Sequence, residues 1–213
     1  MKLKIFIILL VMLLLSAWNW PTHKEFATKV YDGFPVEFKN NLNLSLIQDG
    51  AIIPDSVFKD YSNHSYPNSV ENVDYWLNRS VSDYSKGDYA NASLEFGIAS
   101  HYLSDSFSAP HNIAGEEYRD HQRFETEAEG LPFFARCNKG NKGTDFYLAK
   151  AQASRYDWEL WMLDNDKNTQ SLELSRGLES AHLIYHSYFN QKCSVTLWQR
   201  FIWFFRLWKL RVF

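Results

Sequence analysis

The stretch "HYLSDSFSAPHNIAGEEYRDHQRFE" (101–125) contains three of the seven histidines of this 213-residue chain. His101 precedes Asp105 by four residues, and His121 precedes Glu125 by the same spacing, with His111 between the pairs. Residues four apart on an α-helix lie on one face, so each pair can direct two donor groups at one ion. A single pair is more typical of a solvated helix surface. Two pairs and a further histidine this close together favour a metal site.

Three further residues upstream have the same chemical types. Asp55 and His64 lie in "GAIIPDSVFKDYSNHSYP" (50–67), and His23 lies in "WNWPTHKEF" (18–26). Taken alone, they are a turn aspartate, a surface histidine and a residue of a first helical turn. Within the 101–125 stretch itself, imidazole and carboxylate together are a natural zinc set where no thiolate is present.

Residues 1–17, "MKLKIFIILLVMLLLSA", have the pattern of a secretory signal peptide. Two lysines come first, an apolar run follows, and small residues stand at the expected cleavage site. The run is shorter than the about 20 apolar residues that a comfortable membrane span needs. We expect cleavage after Ala17 and export, with an uncleaved anchor as the alternative. Cleavage would leave the α-amine of Trp18 as a further metal donor.

The remainder divides into an acidic body, residues 18–193, and a basic end, residues 194–213. Of the 22 basic residues, two lie in the signal and four in the basic end, which leaves 16 against all 25 acidic residues in the body. An acidic body suits cations better than polyanions, so nucleic acid is the less favoured partner. The length of the body predicts one domain, and we expect a monomer.

The body has the pattern of an all-α domain with a long ligand-bearing loop. The segment "THKEFATKVYDGF" (22–34) opens with a threonine cap and repeats apolar residues at a four-residue spacing. No convincing alternating strand pattern occurs, and residues 41–69 are rich in Gly, Pro, Asn and Ser, which predicts an irregular segment. Further helices are predicted at 69–87, 88–107, 142–164 and 170–191.

The two cysteines and a second histidine pair lie outside this metal pattern. Export would permit Cys137 and Cys193 to form a disulfide, but nothing in the sequence decides whether they pair. His182 and His186 repeat the four-residue spacing without a matching carboxylate. We interpret them as packing or helix-surface residues.

The basic end has an amphipathic pattern. On a helical wheel, residues 194–213 collect large apolar side chains in one sector and keep four cations outside it. This pattern predicts an interfacial helix whose Arg and Lys reach lipid headgroups. The alternative is a C-terminal helix that packs on the body.

The order of these donors resembles the trinuclear zinc ligand set of the zinc-dependent phospholipase C family. "HYLSDSFSAPH" is similar to that family's His-x-Leu-x-Asp-x5-His signature, and the His121–Glu125 pair is similar to its closing pair. "GAIIPDS" and "FGIASH" resemble the catalytic domain of the glycosylphosphatidylinositol-specific phospholipase D branch. The short spacing from Trp18 to His23 resembles the related fungal zinc nucleases. By motif, the resemblance covers residues 18–125.

This resemblance implies the fold of that family and three bound zinc ions. Position by position, the first ion would be bound by Asp55, His64, His101 and Asp105, the second by the amine and carbonyl of Trp18, His23 and Asp105, and the third by His111, His121 and Glu125. Because Asp105 would serve two ions, it would be a bridging ligand.

The implied activity is hydrolysis of a phosphodiester by water activated between zinc ions, with Asp55 and Asp105 as the catalytic residues. Asp55 is either a ligand alone or also a proton acceptor. Phe58 stands where the nuclease branch has an arginine, and Ser56 stands where the bacterial phospholipases have an aromatic residue of a choline pocket. Tyr61 matches another aromatic position of that pocket. These three residues form the predicted substrate pocket, and a phosphodiester lipid is the leading substrate class.

Three functions fit the sequence. The leading hypothesis is an exported zinc phospholipase of C or D type. The alternatives are an exported zinc nuclease or nucleotidase, and a non-catalytic, membrane-associated metal-binding protein. Structural zinc sites are closed by protein ligands, whereas nine ligands for three ions leave open positions, which favours catalysis.

Overall fold

The computed structural model of the chain describes residues 20–140 and 142–194. Within those ranges the regular structure is all helical, with no strand, which confirms the all-α fold class. The α-helices are α1 (Trp20–Asp32), α2 (Val36–Lys39), α3 (Leu44–Gly50), α4 (Asn68–Ser85), α5 (Tyr89–Ser106), α6 (Tyr118–Ala128), α7 (Thr144–Leu148), α8 (Ser154–Asp164) and α9 (Asn168–Tyr188). A π-helical turn spans Pro54–Phe58, and 3-10 turns span Ala109–Asn112 and Ala149–Ala153.

Helix α5 lies at the centre of the fold. Fourteen of its 18 residues are buried, and α1, α3, α4 and α9 all pack against it. A helix that is buried on all sides shows little amphipathic pattern, and its interior position follows from its small and apolar residues. The polar residues near its C-terminal end are buried as well, so the core of the fold encloses a set of charged groups.

A close crossing of α3 and α5 depends on two glycines. A Cβ atom on Gly97 would lie 2.0 Å from the carbonyl oxygen of Ile47, and one on Gly50 would lie 2.1 Å from that of Leu94. Both distances are far inside van der Waals contact, so only glycine permits this approach of the two backbones. The crossing brings the backbone at Ala51, which directly follows α3, against the middle of α5.

The predicted irregular segment at 41–69 is partly wrong, because it contains α3 and the π-helical turn. The side chain of Asn43 caps α3 by accepting hydrogen bonds from the backbone N–H groups of Ser45 and Leu46, at 2.9 and 3.3 Å. Asparagine is enriched in loops partly because it caps helices, so composition alone misassigned the segment.

Two other helix boundaries also differ from the prediction. Helix α1 is described from Trp20 onwards, so Thr22 lies within it. Thr22 is therefore a buried residue of the helix and not its cap. The single helix predicted at 142–164 is instead α7, a 3-10 turn and α8 in succession.

The structure shows whether the two cysteines pair and whether the second histidine pair is buried. Cys137 and Cys193 form a disulfide, which joins the segment after α6 to the segment after α9. His182 and His186 are both buried in α9, and the ring of His186 lies 4.2 Å from that of Phe34. They are packing residues.

Two predictions lie outside the described residues. These are the signal peptide at 1–17 and the helix at 194–213, of which the structure describes only residue 194. Among the described helices, none combines the length and the apolar composition that crossing a membrane requires.

Candidate metal centre

His101 and Asp105 form the middle of the site. Their four-residue spacing on α5 places both side chains on one face, with Nε2 of His101 3.1 Å from Oδ2 of Asp105. Both residues are completely buried, at 0 % exposure. A buried carboxylate and a buried imidazole in this arrangement require either a shared proton or a cation.

Asp55 and His64 join this pair from the segment that precedes α4. Asp55 lies in the π-helical turn and is 2 % exposed, and its Oδ1 lies 3.5 Å from Nε2 of His101. Nδ1 of His64 lies 2.9 Å from Oδ2 of Asp105 and 3.8 Å from Oδ1 of Asp55. The four donors predicted for the first ion therefore converge on one buried point.

His23 reaches the opposite oxygen of Asp105 from α1. Its Nε2 lies 3.6 Å from Oδ1 of Asp105, and its ring lies 4.1 Å from that of His101. Nε2 of His111 also faces Oδ1, at 3.8 Å. The two oxygens of Asp105 thus face different histidines. Trp18, the other residue predicted for the second ion, lies outside the described residues.

A third group is formed by His111, His121 and Glu125. His111 lies in the 3-10 turn after α5, and the other two lie one turn apart on α6. Oε1 of Glu125 lies 3.2 Å from Nε2 of His111 and 2.9 Å from Nε2 of His121. The structure therefore brings together every predicted donor that it describes.

The position of the third group depends on a small separate core beneath it. Ala109, Phe124, Trp158 and Trp161 form that core. Glu173 of α9 is buried there and accepts a hydrogen bond from the backbone N–H of Ala109, at 3.2 Å. Burial and then the nearby Asp157 raise the pKa of Glu173 well above 4.5. Glu173 anchors the turn that presents His111.

Backbone and hydroxyl groups fix which ring nitrogen faces the site. Nδ1 of His101 donates to the carbonyl oxygen of Ala51, at 2.9 Å, and a carbonyl can only accept. The hydroxyl of Ser104 donates to the carbonyl oxygen of His101, at 2.8 Å, and so accepts from Nδ1 of His23, at 2.9 Å. In the neutral forms of His101 and His23, Nε2 therefore carries no proton. Its lone pair is directed towards Asp105, as metal binding requires.

Sequence reasoning missed these supporting residues. Ser104 carried a weak signal, because it lies three residues after His101 on the same helix. The role of Ala51 is played by its backbone, so its side chain gave no signal. Glu116, which lies 3.2 Å from Nδ1 of His121, precedes that histidine by only five residues but stands before the start of α6.

The electrostatics of the site favour ionised carboxylates. Burial opposes the charge on Asp105, but His101, His23 and His111 outweigh it and hold the pKa of Asp105 well below 3.8. Burial is likewise outweighed at Asp55, whose pKa is lowered mainly by His101. At Glu125 it is outweighed by His111 and His121, which lower the pKa of that carboxyl.

The histidines respond in opposite directions according to their neighbours. Burial and the adjacent His101 lower the pKa of His23 to about 4. Burial also disfavours charge on His101, but the carboxylates of Asp105 and Asp55 prevail and raise its pKa to about 10. The pKa of His121 rises to about 9 because Glu125 and then Glu116 outweigh burial. The centre therefore attracts positive charge strongly.

The residues fit a metal ion by an independent criterion. Within the described part of the chain, both oxygens of Asp55, both of Asp105, and Nε2 of His101 and of His111 are buried without a well-formed hydrogen bond. Buried polar atoms of this kind are costly unless a cation or a partner satisfies them. Four overlapping groups of donor atoms, each within 4.8 Å of one another, could hold an ion; they are His23–His101–Asp105, Asp55–His64–His101, His64–Asp105–His111 and His111–His121–Glu125.

The centre is more accessible at the third group than at Asp105. The side chains of His111 and His121 are 11 % and 13 % exposed, whereas that of Asp105 is fully enclosed. Tyr61 is 67 % exposed and Tyr118 58 %. Substrate access on the side of His111 and His121 follows from this difference.

The other two predicted pocket residues are directed elsewhere. The hydroxyl of Ser56 donates to the backbone carbonyl oxygen of Ile52, at 2.6 Å, and so is engaged within its own turn. The ring of Phe58 stacks on that of Trp76, with centroids 5.6 Å apart. Of the three predicted pocket residues, Tyr61 is the most exposed.

Comparison with known protein families gives a match over most of the chain. The family model of zinc-dependent phospholipase C matches residues 22–202, which is most of the chain. Neither the curated proteins nor the solved structures contain a match. The matched range includes every described donor of the centre, and the helical architecture agrees with it. This chain belongs to the zinc-dependent phospholipase C family.

Proposed function

We propose that this protein is an exported phospholipase that uses a centre of three zinc ions to hydrolyse a phosphodiester bond of a phospholipid. The observation that carries the proposal is the placement of Asp105. Its side chain is completely buried, and its two oxygens face different histidines. A carboxylate in that position can serve two cations at once.

The proposed ligands are divided among three ions. The first ion takes Asp55, His64, His101 and Asp105, the second takes His23 and Asp105 together with the terminal amine and carbonyl of Trp18, and the third takes His111, His121 and Glu125. The inclusion of Trp18 requires cleavage after Ala17, because only that cut creates the amine. The close approach of the donor atoms supports these assignments.

When bound, the zinc ions would supply an activated water and neutralise the phosphate of the substrate. The chain itself supplies orientation and exclusion of water. Ala51 and Ser104 hold His101 and His23 with Nε2 towards Asp105. Asp55 stays ionised beside His101, which suits a ligand better than a general base, because a base needs a pKa near the working pH.

A lipid is favoured over a nucleic acid as the substrate. The family is one of phospholipases, and the body of the chain carries 16 basic against 25 acidic residues. We propose C-type cleavage. The oxygen of a water molecule becomes bonded to phosphorus, the bond from phosphorus to the glycerol oxygen breaks, and that oxygen takes up a proton. The products are a phosphorylated headgroup and diacylglycerol.

Export is supported by two observations. Residues 1–17 have the signal-peptide pattern. The disulfide between Cys137 and Cys193 is of a kind that persists mainly in oxidising compartments. We therefore place the mature protein outside the cytoplasm.

The test is a substrate panel on the mature chain that begins at Trp18. Phosphatidylcholine vesicles, glycosylphosphatidylinositol and single-stranded DNA are each incubated with the zinc-loaded protein, with and without a chelator. Release of phosphocholine and diacylglycerol, abolished by the chelator and restored by zinc, is expected. Phosphatidic acid would indicate D-type cleavage, and nucleotides from DNA would indicate a nuclease. A zinc-loaded protein that hydrolyses none of the three would contradict catalysis.

A further inference from the structure

His64 differs from the other enclosed histidines of the centre in how its ring is held. Its Nδ1 faces Oδ2 of Asp105, at 2.9 Å, and among the described residues its Nε2 is buried without a hydrogen-bond partner. His101 and His23 each have an outer hydrogen bond at Nδ1 that fixes the ring. A metal-binding histidine almost always has such an outer partner. The orientation of His64 must therefore come from the loop that carries it and from the side chains that pack on its ring.

The loop that carries His64 is organised by the carboxylate of Asp60. Oδ1 of Asp60 accepts a hydrogen bond from the side-chain amide of Asn63, at 2.9 Å. The same oxygen accepts from the backbone N–H and the hydroxyl of Ser62, at 3.4 and 3.3 Å. Because Asn63 directly precedes His64, these bonds fix the backbone from which the histidine projects.

The chain reverses direction immediately before Asp60. Lys59 has a φ of 54°, in the left-handed region that residues other than glycine adopt uncommonly. The backbone N–H of Asp60 donates to the carbonyl oxygen of Pro54, at 3.2 Å, and closes the turn. Such a conformation persists where the surrounding contacts fix it. Asp60 thus stands in sequence between Asp55 and His64, two proposed ligands of the first ion.

The second oxygen of Asp60 joins this loop to α5. Oδ2 lies 3.0 Å from the hydroxyl of Tyr102, and since a carboxylate can only accept, the tyrosine donates. Tyr102 directly follows His101 on α5 and is 2 % exposed. The bond therefore connects the two segments that supply all four proposed ligands of the first ion.

The ring of Tyr102 also packs on both histidines of the first ion. Its centroid lies 5.4 Å from that of His64, with the ring planes at 86°, and 5.7 Å from that of His101, at 84°. Edge-to-face contacts at these separations are favourable and geometrically specific. The bond to Asp60 holds the tyrosine ring in place, and that ring in turn limits the rotation of His64.

We infer that Asp60 and Tyr102 are positioning residues that orient His64 towards the first ion. They act through the loop and through ring packing, not as ligands. The inference rests on the proposed function, because it concerns the geometry of the proposed zinc centre. The far end of the loop is attached to α5 separately, where the hydroxyl oxygens of Ser69 and Ser106 lie 2.6 Å apart. Loss of the Tyr102 hydroxyl should therefore leave the chain folded.

The experiment compares variants of the mature chain that begins at Trp18 by two readouts that do not require hydrolysis. Zinc affinity is measured by competition with a chelator. The metal-free chain is also loaded with cobalt(II), whose visible absorption reports the geometry of its ligands. Tyr102→Phe removes only the hydroxyl. The matched control is Tyr188→Phe, because the hydroxyl of Tyr188 likewise donates to a carboxylate, that of Asp74, and joins α9 to α4.

Tyr102→Phe is expected to lower zinc affinity about 10-fold, as for other lost outer groups, and to change the cobalt absorption. Tyr188→Phe should stay within about twofold of the unsubstituted chain, with unchanged absorption. Asp60→Ala should lower zinc affinity at least as much as Tyr102→Phe does. Its control is Asp166→Ala, which removes a carboxylate that accepts from the backbone and side chain of Asn168 in another loop. Far-ultraviolet circular dichroism of each variant confirms that it is folded.

The double variant tests whether the two residues act as a pair. Asp60→Ala and Tyr102→Phe remove the same hydrogen bond, so together they should lower zinc affinity by less than the product of their separate effects. Two effects that multiply in full would overturn the paired role.

Zinc affinity and cobalt absorption that respond equally to Tyr102→Phe and Tyr188→Phe would overturn the inference, whether both variants lose affinity or neither does. A chain that shows the expected metal responses but hydrolyses no phosphodiester would contradict the proposed function alone. An active phospholipase whose metal readouts ignore Tyr102→Phe would contradict the positioning role alone.

Discussion

Oδ2 of Asp105 lies 3.1 Å from Nε2 of His101, and the two side chains, one helical turn apart on α5, are both completely enclosed. An enclosed ion pair of this kind is a poor source of stability, because desolvation offsets much of its attraction. Its presence in the core is better explained by a bound cation.

Replacement of Asp105 by Asn should abolish hydrolysis. The substitution keeps the size of the side chain but removes the negative charge that faces His64 and His101 on one oxygen and His23 on the other. We expect zinc content to fall and activity to drop by at least about a hundredfold, since loss of outer supporting groups alone costs 10–100-fold. Zinc analysis and phosphocholine release measure both effects.

The matched control is Asp49→Asn, because Asp49 is an exposed carboxylate whose nearest cation, Lys24, is 3.9 Å away. This variant should retain zinc and activity. Undiminished hydrolysis by Asp105→Asn would refute the proposed bridging role.

Replacement of Ser104 by Ala should weaken zinc binding without unfolding the chain. The hydroxyl accepts from Nδ1 of His23, so its loss frees the ring to rotate or to change tautomer. Zinc affinity is expected to fall about 10-fold or more, by competition with a chelator. Ser85→Ala is the control, because that exposed serine only bonds back to its own helix at Val81. Matching affinities in the two variants would remove the orienting role of Ser104.

Replacement of Gly97 by Ala should destabilise the zinc-free fold. The new Cβ would meet the carbonyl oxygen of Ile47, so α3 and α5 must separate. We expect the free energy of unfolding to fall by about 1–3 kcal/mol, as for other overpacked cores. Urea unfolding with a chelator present measures it.

Gly143→Ala is the control for that substitution, because a Cβ at Gly143 meets nothing within 4 Å. The separation of α3 and α5 should also move the Ala51 carbonyl away from His101, so only Gly97→Ala should lose zinc affinity. Equal unfolding free energies in the two variants would show that the crossing tolerates a methyl group.

Loss of the disulfide should lower stability in a way that a reductant reproduces. Cys137 and Cys193 are 56 residues apart in sequence, and the bond between them closes that loop. Replacement of Cys193 by Ser should lower the free energy of unfolding by about 2–5 kcal/mol. The unsubstituted chain should fall to the same level in a reductant, whereas the variant should not respond. A reductant-insensitive unsubstituted chain would mean that the bond contributes nothing.

The all-α class and the metal-binding residues could be predicted from the sequence more fully than the groups that orient those residues. His101 with Asp105, and His121 with Glu125, could be paired because helical spacing puts each pair on one face. Asp55 could be added only through the resemblance, since it comes from a turn 46 residues before His101. Long-range approach of this kind is decided by packing, which a local pattern does not encode.

The groups that orient the metal-binding residues could not be predicted, for physical reasons. The carbonyl of Ala51 is a backbone group, so no side chain marks it, and its position depends on the glycine crossing of α3 and α5. Asn43 was assigned to a loop because caps and loops share composition. Phe58 was assigned to the pocket because it stands where the nuclease branch has an arginine, whereas its ring stacks on Trp76.

Zinc stoichiometry of the mature chain tests the central claim most directly. Protein that begins at Trp18 is loaded with zinc, freed of excess metal by gel filtration and analysed for its elements. We predict three zinc ions per chain, two or fewer when an additional residue precedes Trp18, and loss of hydrolysis as the ions are withdrawn. One ion per chain or none, in a folded protein, would contradict the trinuclear centre.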